Sequence, residues 1–334
     1  SFDRLAPEIM KRADSENNTK YDVSFQVQLP NEWDATLANF NVGVTAGVET
    51  DACNPVWTSV HCSKMDLVIV PSEHTKSALE TSGVTSTPIA VVPEAYFTQL
   101  VKEPEEMDLN LDTKFNFLTV GVLTGLSPET DRKNLFYLVK WFVEAFKDDT
   151  SVGLVIKTNR GRETSIDKKL TEGILRRVLT ELGHDGAPRI YLLHGSMTRE
   201  EMNSLYKHPK IKALISATRG EGFGLPLLEA ATAGLPVIAT GWSAHTEFMN
   251  KGKWLKLDYS LSPVHPTRID NEIFVPGAKW AEVSEDSFKQ TVKKFKKAST
   301  VPTKWAKDLS LKLQEEYSEK SIFKKYNEVL ASIL

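Results

Sequence analysis

The chain has 334 residues, of which 25% are charged and 41% hydrophobic, and its formal net charge is −3. That length implies about two domains, and the charge excludes the strongly basic surface of nucleic-acid binders, so no nucleic-acid partner is expected. Its two cysteines, Cys53 and Cys62, fit no metal or redox spacing and point to a reducing, cytoplasmic location. No apolar run nears the roughly 18 residues of a bilayer span. No secretory leader is visible, and the chain begins at Ser1 rather than at a methionine.

Strand-like and helix-like runs alternate almost throughout, the pattern of a parallel α/β architecture. After a helix-like opening segment, strands are predicted at Asp22 to Leu29, Asn41 to Ala46, Asp66 to Val70 and Pro88 to Val92, with a helix from about Thr75. Lys102 to Thr113 is acidic and without periodicity, and reads as an interdomain linker. A second series opens with the strand Phe115 to Val120 and a glycine turn. The helix Asn134 to Phe146 follows, with Leu135, Leu138, Val139, Phe142, Val143 and Phe146 on one face. Strands Val152 to Lys157 and Arg189 to Leu193 flank a charged helix, Thr198 and Glu201 form a capping box, and Ile211 to Ser216 is the next strand. Lys289 to Lys297 is amphipathic, with Phe288, Val292 and Phe295 on one face. A solvated helix face is the favoured reading and attachment to a membrane surface the alternative. The chain is helical from Trp305 to its end.

The most informative block is Arg219 to Ala230, RGEGFGLPLLEA. It sets Glu221 and Glu229, with seven residues between them, around a glycine-rich turn that opens into a helix. Gly222 and Gly224 let a ligand approach the main chain, and Pro226 suits the first helical position. Glu229 then falls in about the first turn, Gly234 is a helix stop, and Leu235 to Thr240 reads as a buried parallel strand.

This block resembles the Glu-x7-Glu signature of the family-4 retaining glycosyltransferases. Gly47 to Asp51 (GVETD), Val70 to His74 (VPSEH), Val91-Val92-Pro93 and Arg132-Lys133-Asn134 look like further landmarks of that family in the correct order. The resemblance implies the GT-B fold, α/β with two Rossmann-like domains whose parallel sheets face a central cleft. It places an acceptor-side domain at 1–105, a nucleotide-sugar donor domain at 106–303, and helices crossing back to the first domain at 304–334. Two departures stand out. The family's first strand and glycine-rich loop are not visible, so the first βα unit is either missing or replaced by a compact variant. Where the family has an arginine after the glycine that ends the 115–120 strand, this chain has Val122.

A nucleotide-diphosphate sugar needs cations or helix amides for its phosphates and carboxylates for its hydroxyls. Lys133, at the start of a helix whose free amides favour an anion, is the phosphate candidate and matches the family's lysine. Arg132 offers a bidentate fork to a phosphate, and Lys157 at the carboxyl end of its strand is a second cation. By resemblance, Glu229 accepts from the ribose hydroxyls and Glu221 binds the donor sugar near its C3 hydroxyl. Backbone amides of Gly222, Phe223 and Gly224 face sugar or phosphates, and Gly195, Ser196 and Met197 neighbour the base. On the acceptor side stand Glu49, Asp51, Ser72 and His74, the last a general base by type. Glu247 either meets ligand or caps the next helix. Trp57, Trp242 and Trp280 are either sugar platforms or core, with core favoured.

Asp148-Asp149 reads as a solvated helix end rather than a metal motif, so no metal or cofactor is expected beyond the donor substrate. The implied reaction is retaining transfer to an acceptor hydroxyl of a glycan or glycolipid. A GT-B nucleotide-sugar epimerase and a sugar- or nucleotide-binding protein without catalysis are the alternatives.

Overall fold

A computed structural model describes residues 20–331 except 126, 160 and 162; the predicted opening helix lies outside the described residues. Two parallel sheets organise the chain. The first runs in the order β1 (Tyr21–Val27), β2 (Ala38–Val44), β3 (Leu67–Val70), β4 (Ile89–Val91). The short run LVIV of β3 is buried at every position, as a strand covered on both faces must be. Helix α1 (Glu73–Ser82) follows it, capped by Ser72, whose hydroxyl accepts from the Thr75 amide at 3.1 Å. Residues 102–114 carry no helix or strand.

The second sheet contains β5 (Phe115–Val120), β6 (Val152–Thr158), β7 (Arg189–His194), β8 (Ile211–Ser216), β9 (Val237–Thr240) and β10 (Leu255–Leu257). Their order is β10-β9-β8-β5-β6-β7. Helices α2 (Leu135–Ala145), α3 (Ser165–Glu181), α4 (Arg199–Tyr206), α5 (Leu225–Thr232) and α6 (His245–Met249) connect them. The order reverses between β5 and β8, so the loops leaving these strands diverge and open a crevice at their carboxyl ends, the usual ligand position in such sheets. The predicted capping box forms: Thr198 Oγ1 accepts from the Glu201 amide at 3.1 Å while Glu201 accepts from the Thr198 amide at 2.7 Å.

The hairpin β11 (Tyr259–Pro263) and β12 (Lys279–Val283) is absent from the sequence reading. It is small, but it carries Glu282 and the buried Trp280 to the site below. Helix α7 (Glu285–Lys297) decides between the two readings of its amphipathic face. Phe288, Val292 and Phe295 are buried, with Phe295 5.7 Å from Phe117 and Phe288 5.6 Å from Trp141 between ring centroids. Each such aromatic pair contributes about 0.5–1.5 kcal/mol beyond its buried area. The apolar face of the lysine-rich helix is therefore core, and it is not available to a membrane. Among the described residues no helix is long and apolar enough to cross one.

Helices α8 (Thr300–Glu316) and α9 (Glu319–Ala331) end the described chain. The Ser310 hydroxyl of α8 donates to Thr232 O at the end of α5 at 2.6 Å, and the Tyr96 amide donates to Tyr317 O at 3.1 Å. One hydrophobic core joins Val42 and Ile69 of the first sheet, Leu214 and Val237 of the second, and Leu309, Leu313 and Ile322 of these helices.

Candidate active site at the carboxyl edge of the second sheet

The loop leaving β8 is built on Arg219. Its buried guanidinium forks onto Glu282 through Nε at 2.8 Å and a terminal nitrogen at 3.0 Å, and its other terminal nitrogen donates to Pro128 O and Asp131 O, both at 2.7 Å. The ring of Trp280 lies 5.1 Å from the guanidinium carbon. Arg219 thus ties three segments together: the Glu221 loop, the hairpin and the turn that precedes α2. No function was expected of it, because it reads as the leading residue of the signature block.

Next comes Glu221. It is buried, and Lys133 Nζ contacts both its oxygens at 2.6 and 2.8 Å while Arg132 contributes a terminal nitrogen at 3.2 Å. Burial opposes the charge of this carboxyl, but Lys133 and Arg132 outweigh it and bring the pKa down to about 2. Arg132 Nε in turn meets Glu49 of the first sheet's loops at 2.6 Å, and the guanidinium also donates to Gly220 O at 2.7 Å. For Glu49, burial dominates over the attraction of Arg132 and its pKa is raised. Lys133, Arg132, Glu221 and Glu49 therefore converge, although 172 positions separate the first and last in sequence.

Two phosphate-side expectations change. Arg132 does not hold an open fork, since its Nε and one terminal nitrogen are taken by Glu49, Glu221 and Gly220. The amino end of α2 is also occupied: Asp131 accepts from the Leu135 amide at 2.7 Å and from the Thr124 amide at 2.9 Å. The anion that the helix start favours is this protein's own carboxylate. Lys157 is buried and its Nζ donates to Gly195 O, with its pKa lowered by burial against the pull of Glu163 and Glu201. It does not join the Glu221 cluster.

The glycines behave differently from their predicted role. A side chain at Gly220 would place its Cβ 1.9 Å from Glu49 O, and one at Gly222 would place it 2.0 Å from Ala46 O. What approaches the main chain here is the backbone of the other sheet's loops. Gly224 has φ +99° and caps α5, so the helix begins at Leu225, Pro226 is its second residue, and Glu229 is its fifth, in the second turn rather than the first. The Phe223 ring is core, 5.4 Å from Phe248. Gly222→Ala is expected to cost about 3 kcal/mol, at the upper end for overpacking because backbone must move. A chemical denaturation curve shifted by less than a tenth of that would contradict this apposition.

Ser72 and Thr75 donate their hydroxyls to Gly222 O at 2.9 and 3.2 Å. Glu247 caps a helix, but not the next one: its oxygens accept from the Glu73 and His74 amides at 3.0 and 2.9 Å and so cap α1 across the interface. Asp51 is tied to the hairpin, its carboxylate accepting from the Lys279 amide at 2.6 Å. His74 stands edge-on to Trp242, with ring centroids 5.0 Å apart. Burial, with a further push from His245, drops its pKa to about 4, which makes it too weak a base for work at neutral pH. Trp57 and Trp280 are core, whereas Trp242 lines a cavity. Asp149, read as solvated, pairs with Lys296 of α7.

A polar chain missed in the sequence supports Glu221 from behind. His245 is buried with Nε2 2.7 Å from Thr240 O; a carbonyl only accepts, so Nε2 carries the proton. Nδ1 is left to accept from the Ser243 hydroxyl at 3.3 Å, and that oxygen accepts from the Glu221 amide at 3.0 Å. The block GWSAHTEF gives no periodic signal that would single out Ser243 or His245.

Glu229 occupies a separate place. It lines a cavity of about 340 Å³ with Tyr96, Phe97, Met197, Arg199 and Leu225. Burial raises its pKa to about 7, against a hydrogen bond from the Tyr206 hydroxyl at 2.9 Å and the pull of Arg199. Of the three residues expected near the base, Met197 lines this cavity, Gly195 binds Lys157 through its carbonyl, and the Ser196 hydroxyl donates to Glu163.

Residues 186–257, which include both glutamates and the Ser243–Glu247 turn, match the family model described as Glycosyl transferases group 1. A sucrose synthase of Melioribacter roseus is 24% identical over 185 residues, covering 49% of this chain and 21% of that protein. Among solved structures, sucrose-phosphate synthase from Thermosynechococcus elongatus superposes with TM-score 0.65 at 13% identity, over 97% of this chain and 77% of that one. The pneumococcal O-GlcNAc transferase GtfA in complex with UDP and GlcNAc gives 0.57 at 16%, over 88% and 52%. With its two parallel sheets, the molecule has the GT-B fold of glycosyltransferases. The chain matches the group 1 glycosyltransferase family model over residues 186–257. It spans about a fifth of the sucrose synthase and about half of GtfA.

Proposed function

We propose that the chain is a retaining glycosyltransferase that moves a sugar from a UDP-sugar to an acceptor hydroxyl of a glycan or glycolipid. The observation that carries this reading is the convergence of Lys133 and Arg132 on Glu221, itself in the family-matching segment, at the point where the strand order reverses. UDP is chosen as the nucleotide because GtfA, of like fold, was solved with UDP. Residues 1–105 serve as the acceptor side, 106–303 hold the donor, and 304–334 cross back to the first part.

On this reading Lys133 moves from Glu221 to the donor diphosphate and stabilises the charge that develops there as the C1–O bond breaks. Glu221 is then left to accept from a sugar hydroxyl, while the leaving diphosphate takes the proton of the incoming hydroxyl on the same face. Glu229 binds the ribose diol in its cavity. No metal takes part. Arg132 must exchange Glu49 for the incoming phosphate, because a guanidinium gripped by a carboxylate repels nothing but offers little. That same grip favours a second reading, a protein that binds UDP-sugar without turning it over.

The test is a thermal-shift panel of UDP-, GDP-, ADP- and dTDP-sugars followed by donor turnover, since a bound ligand raises apparent stability. UDP-sugars should stand out, and Glu221→Ala and Lys133→Ala should each lose turnover. No shift with any donor overturns both readings; a UDP shift with neither transfer nor hydrolysis selects the second.

A pH effect follows from Glu229. Below about 7 its carboxyl is protonated, and above it both oxygens accept from the ribose hydroxyls. Charged hydrogen bonds exceed neutral ones by on the order of 1 kcal/mol, so UDP affinity should improve several-fold as pH rises from 6 to 8. Glu229→Gln should flatten that profile. For the free protein the sign is opposite. A carboxyl whose folded pKa is raised stabilises fully below its ordinary value near 4.5, and that contribution is lost as pH rises through about 7.

A further inference from the structure

We infer that the cavity walled by Trp242, Tyr259, His74, Asp51, Glu73 and Glu247 is a binding site for an uncharged saccharide, and that this saccharide is the acceptor. The inference rests on the transferase reading above. The cavity measures about 480 Å³, within the range of small-ligand sites. It lies between the loops that follow β2 and β3 on one side and β9 on the other. Ser243, which also lines it, is the residue whose hydroxyl receives the Glu221 amide at 3.0 Å. The cavity and the donor-side glutamate therefore share one loop.

The lining has the chemistry that a sugar ring requires. A pyranose presents a face of C–H groups and a rim of hydroxyls. Flat amphipathic aromatics suit the first, and carboxylates, which accept through up to four lone pairs, suit the second. The Trp242 ring is held on two sides. A Cβ at Gly220 would lie 3.1 Å from it, and His74 meets it edge-on. Tyr259, on the hairpin, is 40% exposed. Asp51 and Glu247 each engage backbone amides, which fixes their carboxylates and leaves lone pairs for a ligand. His74 carries an Nε2 that is buried without a hydrogen-bond partner.

The charge of the lining sets the class of ligand. Three carboxylates face the cavity, and among the described residues that line it there is no lysine or arginine. A phosphorylated sugar or an anionic lipid headgroup would meet like charge with nothing to offset it, whereas a neutral glycan terminus would not. The cations of this region, Lys133 and Arg132, belong to the Glu221 cluster instead. Anionic donor and neutral acceptor are thus separated by electrostatics as well as by position.

The experiment is saturation-transfer NMR on the full chain with UDP present, using lactose, maltose and cellobiose as neutral probes and glucose 6-phosphate as the anionic one. At least one neutral disaccharide should show saturation transfer, and glucose 6-phosphate should bind at least tenfold more weakly. Trp242→Ala should weaken the neutral probe about tenfold or more, Trp242→Phe should restore it to within about threefold, and Tyr259→Ala should weaken it severalfold. Tyr259 is exposed on a hairpin, so that variant carries the test even where Trp242→Ala fails to fold. Signals unchanged in both alanine variants overturn the assignment, as do equal binding of glucose 6-phosphate or silence from every neutral probe. A thermal shift with UDP, measured in parallel, reports on the donor site alone, so failure of the transferase reading is seen separately.

Discussion

Glu221→Gln is expected to lower folding stability by about 3 kcal/mol and to reduce sugar transfer at least about a hundredfold. The stability loss arises because Lys133 and Arg132 would remain largely buried with their shared counter-charge removed. A carboxyl held at about 2 rather than at its ordinary value near 4.5 amounts to about 3 kcal/mol by linkage, in agreement with that figure. Its sign follows from the lowered pKa: the stabilisation is present above the ordinary value and is lost as pH falls through about 2. Urea denaturation between pH 7 and pH 2 measures both statements. The wild type should lose this increment in acid, while Glu221→Gln should not. Adding Lys133→Met to Glu221→Gln should recover at least 1 kcal/mol, because the unpaired cation is gone. Strict additivity of the two single substitutions would refute the pairing.

Arg219→Met should destabilise by about 3–5 kcal/mol, since it strands Glu282 and removes donors from two carbonyls at once. Lysine should rescue little. A single ammonium cannot fork onto Glu282 while also reaching Pro128 O and Asp131 O, a task that needs the planar, multi-donor guanidinium. Because Arg219 also anchors the turn that carries Lys133, a partly folded Arg219→Lys protein should show a raised donor KM as well as a lower denaturation midpoint. An unchanged midpoint would remove Arg219 from this framework.

The strands were legible in the sequence because covered parallel strands must be continuous apolar runs, as LVIV and VGLVIK are. Helix starts were legible where a short-range reciprocal cap exists, as at Thr198 and Glu201. The hairpin at 259–283 was not, because its two strands are short and fifteen residues, with a short 3-10 turn at Pro266–Arg268, lie between them. The candidate site divides in the same way. The signature identified Glu221 and Glu229, but it could not say that Glu221 faces Lys133, because that contact crosses 88 positions and depends on the reversed strand order. Nor could it tell a glycine that admits a ligand from one that admits a neighbouring backbone, since both need the same missing Cβ. Glu247 shows the limit most clearly: helix capping was one of its two readings, yet the helix concerned lies 173 residues away.

That cap has a kinetic corollary. The amides of Glu73 and His74 have their acceptors on the far side of the interface, so α1 keeps a complete first turn only while the two halves stay together. Any breathing of the cleft wide enough to admit a donor releases these two protons to solvent. Deuterium uptake at Glu73 and His74 then times the opening directly, and a saturating ligand that holds the halves closed should slow it while leaving the exchange of surface loops unaltered.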